Sequence, residues 1–142
     1  MRKKRVWRYY CDFCGRGGCA ASHIMHHEKG CTANPDRVCG LCAHSIPGEQ
    51  KQIGVLIEAL KSGRPEDGYS AGLIEVRDLA QNCPACILAA IRQSGVQRSS
   101  EYDGDGNEID PGCHVEFDFK KELASWWSDE NATQMEHDYP PY

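Results

Sequence analysis

Residues 11 to 42 read CDFCGRGGCAASHIMHHEKGCTANPDRVCGLC, and this stretch decides the fold. Its first part has the spacing C-x2-C-x12-H-x3-C. A C-x2-C turn places two thiolates on one side of a metal ion, and a His and a Cys four residues apart share one face of a helix. The spacing therefore predicts a tetrahedral zinc site with the ligands Cys11, Cys14, His27 and Cys31.

Residues 9 to 31 resemble a zinc finger of the Cys-Cys-His-Cys variety. Tyr9 stands at the aromatic position before the first cysteine, and Ile24 stands at the apolar helix position three residues before His27. The resemblance implies a finger-like module with a short helix. Gly18 stands where such fingers have Phe, so we expect its small core to be packed differently.

The histidines of this module leave one ligand open. His23 and His27 are also four residues apart, so a metal site that uses His23 is an alternative, and His26 adds to the ambiguity. Cys19 is interpreted as a small buried apolar residue.

A second set of four cysteines consists of two further C-x2-C pairs. Cys39 and Cys42 form one pair, and Cys83 and Cys86, 40 residues further on, form the other. Together they supply the ligands of a second tetrahedral zinc site. Two alternatives remain open: the pair at Cys39 shares one zinc with the pair at Cys11, or the pair at Cys83, which opens a helix, is a redox dithiol.

The apolar pattern predicts helices between these cysteines. Leu, Ile, Val and Phe number only 24 of 142 residues, so we expect zinc to compensate for a thin core. Apolar residues at i, i+3, i+4 and i+7 from Ile53 predict one helix, a second begins at Ser70 and ends near Asn82, and a third runs from Pro84 to Gly95. We expect a mainly α fold with small β elements, in which a finger-like N-terminal module precedes a helical body held by zinc.

The C-terminal third is acidic. Residues 97 to 112 are interpreted as a solvated hairpin or linker, and the alternation of Val115, Phe117 and Phe119 with acidic residues predicts a strand. A short helix is expected at 120 to 128, and residues 129 to 142 are interpreted as a tail. The two tryptophans of this helix are expected in the core, with partner binding as the alternative: Trp126 and Trp127.

These predictions divide the chain into four segments. They are a basic arm at 1–10, a zinc-finger-like module at 11–36, a helical body with the second zinc site at 37–96, and the acidic loop, short strand, Trp-bearing helix and tail at 97–142.

Charge is unevenly distributed along the chain. Residues 1 to 45 contain eight Lys and Arg against three Asp and Glu, whereas residues 46 to 142 contain eight against 18. The basic arm is interleaved with Trp7, Tyr9 and Tyr10, a composition typical of nucleic-acid-binding segments. The candidate nucleic-acid-binding residues are Arg2, Lys3, Lys4, Arg5, Arg8, Arg16 and Lys29.

The cysteines and the first residues bear on localisation. The start lacks the apolar run of a secretory signal, and nine cysteines in a reducing compartment indicate metal binding rather than disulfides. We therefore expect a cytoplasmic protein without a membrane span.

The motifs YYCDFC at 9–14, NPDRVC at 34–39 and CPAC at 83–86, together with the small size, resemble the small zinc proteins that bacteriophages and prophages encode. The resemblance implies a non-enzymatic accessory factor in the host cytoplasm with two Zn²⁺ ions. It implies a partner that is nucleic acid or a nucleic-acid-handling host complex. Inhibition of a host defence system through the acidic surface is the alternative.

An HNH-type nuclease is a further alternative. His26, His27, Asn34 and His44 lie among C-x2-C pairs, as the catalytic residues of such nucleases do. Only eleven residues separate His27 from Cys39, which is short for such a module, and a histidine that ligates structural zinc is not free to act as a base. We therefore expect no catalytic centre.

Overall fold

The computed structural model describes residues 1–46 and 48–138. Helices make up 47% of the chain, and the small β elements are two antiparallel strand pairs, which confirms the predicted fold class. The helices of the described part are α1 (Ala21–Gly30), α2 (Gly40–Ser45), α3 (Ile53–Lys61), α4 (Ser70–Leu79), α5 (Pro84–Ser94) and α6 (Phe119–Asp138). The strands are β1 (Tyr9–Tyr10), β2 (Gly17–Gly18), β3 (Glu101–Tyr102) and β4 (Glu108–Asp110).

The N-terminal module is a β1–β2 hairpin followed by α1. Ile24 is buried on α1 in a small cluster with Cys11 and Cys31. A Cβ atom at Gly18 would lie 3.2 Å from Cδ1 of Ile24, so the glycine lets the isoleucine approach the hairpin backbone. This contact explains how the module packs without the Phe that zinc fingers of the Cys-Cys-His-Cys variety have at this position.

The helical body is formed by α3, α4 and α5. These helices begin at the predicted residues, and their apolar faces meet in one core, in which Leu60, Val76 and Ile87 are fully buried. Pro84 occupies the first turn of α5, and Gly95 ends that helix with a φ of 70°. α2, a six-residue helix after Cys39, was not predicted by the apolar pattern.

Gly72 allows α3 and α4 to pack closely. A Cβ atom at this position would lie 2.3 Å from the carbonyl oxygen of Leu60 and 3.0 Å from that of Ala59. Both neighbours are backbone atoms of a regular helix, so they cannot move aside independently. A side chain at residue 72 therefore forces the two helices apart.

The predicted strand at 115 to 119 is wrong. Residues 114–118 form no regular element, although Val115 is 1% exposed and Phe117 packs partly buried against the core. An extended segment that lies on a core buries every second side chain whether or not it pairs with another strand. The alternation of apolar and acidic residues therefore predicted the buried side chains correctly and the strand incorrectly.

The hairpin interpretation of residues 97 to 112 agrees with the structure. β3 and β4 pair antiparallel, and an isolated bridge between Arg98 and Cys113 closes the base of the hairpin.

The interpretation of residues 129 to 142 as a tail is wrong as far as Asp138, where α6 ends. Residues 139–142 lie outside the described part of the chain. No Gly or Pro occurs between Lys120 and Pro140, so nothing in the sequence stops the helix. From Lys120 to Glu130, where the structure describes the side chains, none is fully buried, which agrees with the absence of an apolar period in the sequence.

α6 is attached to the body by a bidentate ion pair. The Nη1 and Nη2 atoms of Arg77 donate to the carboxylate of Glu122, at 2.9 and 2.8 Å. The guanidinium lies 5.6 Å from the ring centre of Phe117. The hydrogen bonds from Arg77 lower the pKa of the Glu122 carboxyl. The attachment is therefore present above the usual carboxyl pKa and is lost as pH falls through the lowered value.

The expectation that the tryptophans enter the core is wrong. Trp126 is half-buried and Trp127 is 39% exposed, and both rings lie against His44 of α2, with ring-centre distances of 6.2 and 5.2 Å. Together they form an aromatic cluster on the surface, which we call the tryptophan patch: His44, Trp126 and Trp127.

We expect Gly72→Ala to lower the free energy of unfolding of the zinc-loaded protein by about 1–3 kcal/mol, because the added methyl group overpacks the α3–α4 contact. Gly54→Ala in α3 is the matched control, since nothing lies within 4 Å of its added Cβ. Denaturant unfolding followed by circular dichroism measures both. Equal stabilities of the two variants would contradict the proposed role of Gly72.

Two candidate metal centres

Two groups of four ligand residues come together in the structure. In each group the ligand atoms all lie within 4.8 Å of one another. Site 1 consists of Cys11, Cys14, His27 and Cys31. Site 2 consists of Cys39, Cys42, Cys83 and Cys86.

Site 1 is assembled by the β1–β2 hairpin and α1. The hairpin turn carries Cys11 and Cys14, and α1 carries His27, whose Nε2 lies 3.2 Å from Sγ of Cys14. The carboxylate of Glu28 accepts a hydrogen bond of 3.0 Å from the backbone N–H of Asp12, which holds the turn against the helix. Cys31 follows the last residue of α1 and is buried, whereas Cys14 is exposed.

Site 2 is assembled by two helix N-termini. Cys39 precedes α2 and Cys83 precedes α5, so each pair of thiols lies at the positive end of a helix dipole, which favours the thiolate form. Sγ of Cys39 lies 3.5 Å from that of Cys83, and Sγ of Cys42 lies 3.5 Å from that of Cys86. All four side chains are buried.

These distances and donor sets fit zinc. Zn–S bonds of about 2.3 Å give a tetrahedron with S–S edges of roughly 3.8 Å, whereas a disulfide bond is about 2.05 Å long. All nine cysteines lie in the described part of the chain and all are free. The two tetrahedral Cys/His clusters are consistent with two zinc ions.

The thiols of site 2 depend strongly on one another. Hydrogen bonds from Cys42, Cys83 and Cys86 lower the pKa of Cys39, and hydrogen bonds with Cys39, Cys42 and Cys83 raise that of Cys86. Four thiolates at this spacing repel one another, so a protein without metal keeps protons on some of them. A divalent cation removes that repulsion and binds all four as thiolates.

The coordination set of site 2 is closed. Four buried protein ligands are typical of structural zinc, whereas catalytic zinc keeps one position for water or substrate. Site 2 therefore has the chemistry to connect helices and none of the features that activate a water molecule.

The structure decides between the pairings that the sequence left open. The pair at Cys11 does not share a site with the pair at Cys39, and Cys83 and Cys86 face the thiols of the other pair. His23 and His26 are exposed and belong to neither cluster. Cys19 is exposed, so its interpretation as a buried apolar residue is wrong.

Three residues considered for nuclease chemistry make other contacts. His27 belongs to site 1, and His44 lies in the tryptophan patch. Asn34 is buried, where its side chain donates to the carbonyl of Glu28 at 2.8 Å and accepts from the backbone N–H of Asp36 at 2.9 Å. Asn34 therefore organises the turn that follows site 1.

Arg37 connects the two sites, and sequence reasoning missed it. Its Nε and Nη2 atoms donate to the carbonyl of Gly30, both at 3.3 Å, and Nη1 approaches Sγ of Cys86 at 3.9 Å. Gly30 is the neighbour of the site 1 ligand Cys31. A cation beside a thiolate offsets part of the negative charge that four thiolates leave on a Zn²⁺ site.

Two glutamines complete the support of the sites. The side chain of Gln50 accepts from the N–H of Cys39 at 2.7 Å and donates to its carbonyl at 3.2 Å. Gln93 of α5 donates to the carbonyls of Thr32 and Asn34, both at 2.9 Å. A single contact between residues far apart in the chain leaves no repeating pattern in the sequence, so these contacts could not be predicted from it.

The predicted nucleic-acid-binding residues are all exposed. Residues 1–8 form no helix or strand, and β1 continues from them into site 1. Among the salt bridges of the described residues, none involves any of the seven cations. The exposed residues are Arg2, Lys3, Lys4, Arg5, Arg8, Arg16 and Lys29.

A comparison of the chain with protein-family models, with curated proteins and with solved structures finds no match in any of the three. In the described part of the chain, no helix has both the length and the apolar character needed to cross a membrane.

We expect the two sites to stabilise different parts of the protein. Cys86→Ser should remove one zinc and most of the helical circular dichroism, because site 2 holds α5 against α2. Cys14→Ser should remove the other zinc and leave α3, α4 and α5 folded. Cys19→Ser, which lies outside both sites, is the control and should keep two zinc ions, and equal loss of helix in the two site variants would contradict this division.

We expect Arg37→Gln to weaken zinc retention at site 2 by about tenfold, the effect typical of a residue that supports a metal ligand. Competition with a chelator measures this in a Cys14→Ser background, where only site 2 is loaded. Arg64→Gln is the matched control because Arg64 is exposed and has no contact with a thiol. No difference between the two variants would reject the role of Arg37.

Proposed function

We propose that this protein is a non-enzymatic zinc-binding accessory protein that binds nucleic acid through its N-terminal module. The observation that carries the proposal is the set of seven exposed cations, unpaired in the described residues, along the arm and around site 1. Cations that are not neutralised within the protein remain available for phosphates, and contact with phosphates releases counterions from nucleic acid.

The hairpin brings the cations of the arm and of the finger together. Tyr10 pairs with Gly17 across the two strands, and the N–H of Cys11 donates to the carbonyl of Arg16 at 2.8 Å. Arg16 therefore lies beside the end of the arm, and the Nε of Arg8 lies 3.3 Å from the Cβ position of Gly17. In this proposal site 1 holds these cations in one place, while site 2 holds the acidic body.

The opposite charge of the body limits where nucleic acid binds. Residues 46 to 142 carry ten more acidic than basic residues, eight Lys and Arg against 18 Asp and Glu. This charge repels phosphates and confines contact to the basic end.

The proposal predicts binding that weakens steeply with salt. Fluorescence anisotropy of labelled oligonucleotides should give a slope of log K against log salt on the order of −2 to −5, for several phosphate contacts. Reversal of four arm charges by Arg2→Glu, Lys3→Glu, Lys4→Glu and Arg5→Glu should abolish binding.

The matched control reverses four exposed cations of the body and should retain binding: Lys61→Glu, Arg64→Glu, Lys120→Glu and Lys121→Glu. Equal effects of the two sets, or no binding by the unmodified protein, would reject the proposal. Incubation with Mg²⁺ should leave the oligonucleotide intact, and cleavage that is lost in His26→Ala or His44→Ala would favour the nuclease alternative.

A second candidate function concerns the acidic body. In the tryptophan patch, the rings of Trp126 and Trp127 lie 4.9 Å apart and Trp127 is exposed, and paired aromatics are common at protein interfaces. In this candidate a basic, nucleic-acid-handling host protein, such as a component of a defence system, binds the acidic body. A photocrosslinking residue at position 127 should then capture a basic protein in cells. In a separate variant, Trp127→Ala should abolish the inhibition of that host protein.

The biological context is part of the same proposal. The resemblance of this small two-zinc chain to zinc proteins of bacteriophages and prophages suggests a mobile-element accessory factor that acts in the host cytoplasm.

A further inference from the structure

The basic arm and the N-terminal module expose aromatic rings among their cations. Trp7 is 84% exposed, Tyr10 is 60% exposed and Phe13 is 44% exposed. Aromatic side chains usually lie in cores or interfaces, where each buries about 150–250 Å². Their exposure beside unpaired cations is the feature of this surface that phosphate contacts do not explain.

Tyr10 of β1 and Arg8, which precedes the strand, both lie against Gly17 of β2. The ring of Tyr10 lies 3.0 Å, and Nε of Arg8 lies 3.3 Å, from the position that a Cβ atom of Gly17 would occupy. Because Gly17 has no side chain, an aromatic ring and a guanidinium lie side by side over bare backbone.

The arm carries a second pair of a cation and a ring, formed by Arg5 and Trp7. These two residues, with Val6, border an open space of about 380 Å³, so here also an aromatic ring lies near a guanidinium. Residues 5 to 10 therefore contain two successive pairs of one cation and one aromatic ring: Arg5 with Trp7, and Arg8 with Tyr10.

We propose that these two pairs, Arg5 with Trp7 and Arg8 with Tyr10, bind single-stranded nucleic acid by stacking bases on Trp7 and Tyr10 while the arginines contact the flanking phosphates. This inference rests on the proposed function and names the form of nucleic acid. In a duplex the faces of the bases are stacked on each other and cannot reach these rings. In a single strand each base has a free face, and stacking on aromatic side chains adds to the attraction of the phosphates.

The test compares a single strand and a duplex of the same sequence. The zinc-loaded full chain is titrated with a labelled 20-nucleotide strand, as DNA and as RNA, and with the corresponding duplexes. We expect the single strand to bind at least tenfold more tightly. Trp7→Leu with Tyr10→Leu should lower single-strand affinity by about 10- to 100-fold and duplex affinity by less than threefold.

Two controls isolate stacking from other effects. Tyr102→Leu with Trp127→Leu removes the same two residue types from exposed positions of the body and should leave affinity unchanged. Trp7→Tyr with Tyr10→Phe keeps the rings and should retain most of the affinity. In a Trp126→Phe and Trp127→Phe background Trp7 is the sole tryptophan, so the single strand should quench its fluorescence and the duplex should not.

The outcomes separate this inference from the proposed function. Duplex binding that equals or exceeds single-strand binding, or equal losses for both forms in the leucine variant, would overturn the single-strand inference while nucleic-acid binding stands. Absence of salt-dependent binding to every oligonucleotide would overturn both. Concentration-dependent self-association that the leucine variant removes, without an effect on single-strand affinity, would assign the rings to a protein interface and overturn the inference.

Discussion

The structure depends on the thiolate cluster of site 2, which joins residues 44 positions apart in the chain. The segment between Cys42 and Cys83 contains α3 and α4, and both ends of that segment meet at the cluster. Closure of so long a loop costs conformational entropy that a metal bond offsets in one step. The four cysteines are themselves part of the buried core, beside Leu56, Val76 and Ile87. Metal ligation and hydrophobic packing are therefore parts of one interior, and we expect folding to need both because large apolar residues are so few.

Site 1 is held against this interior by contacts of polar side chains. Gln93 holds the turn after Cys31, and Arg37 reaches from the end of α1 to a thiol of site 2. The basic module thus has a defined position on the body through contacts of single polar residues. This arrangement separates the positive surface from the acidic body while both belong to one fold, and it gives the proposed nucleic-acid contact its restricted location.

The metal ligands and the main helices could be predicted because their signals are local. Two cysteines separated by two residues predict a turn that can bind metal. Apolar residues at helical spacing, from Ile53 to Leu60, predict a helix with one buried face. The length of α6 could not be predicted in this way, since its charged residues carry no period and its anchors lie far away in the chain. Arg77 pairs with Glu122, and the hydroxyl of Ser45 donates to Glu130. The burial of Val115 was visible in the sequence, but whether that extended segment had a strand partner was not. Trp127 was expected in the core because the chain has few other large apolar residues, and its contact with His44 depends on how α2 and α6 meet.

The most direct test of the account is native mass spectrometry of the purified protein, with and without a chelator, combined with circular dichroism of the same samples. We expect a species with two zinc ions, and loss of the helical signal when the metal is removed, because each structural zinc contributes on the order of 10 kcal/mol to folding. A metal-free protein that still unfolds cooperatively, with its helices intact, would contradict it.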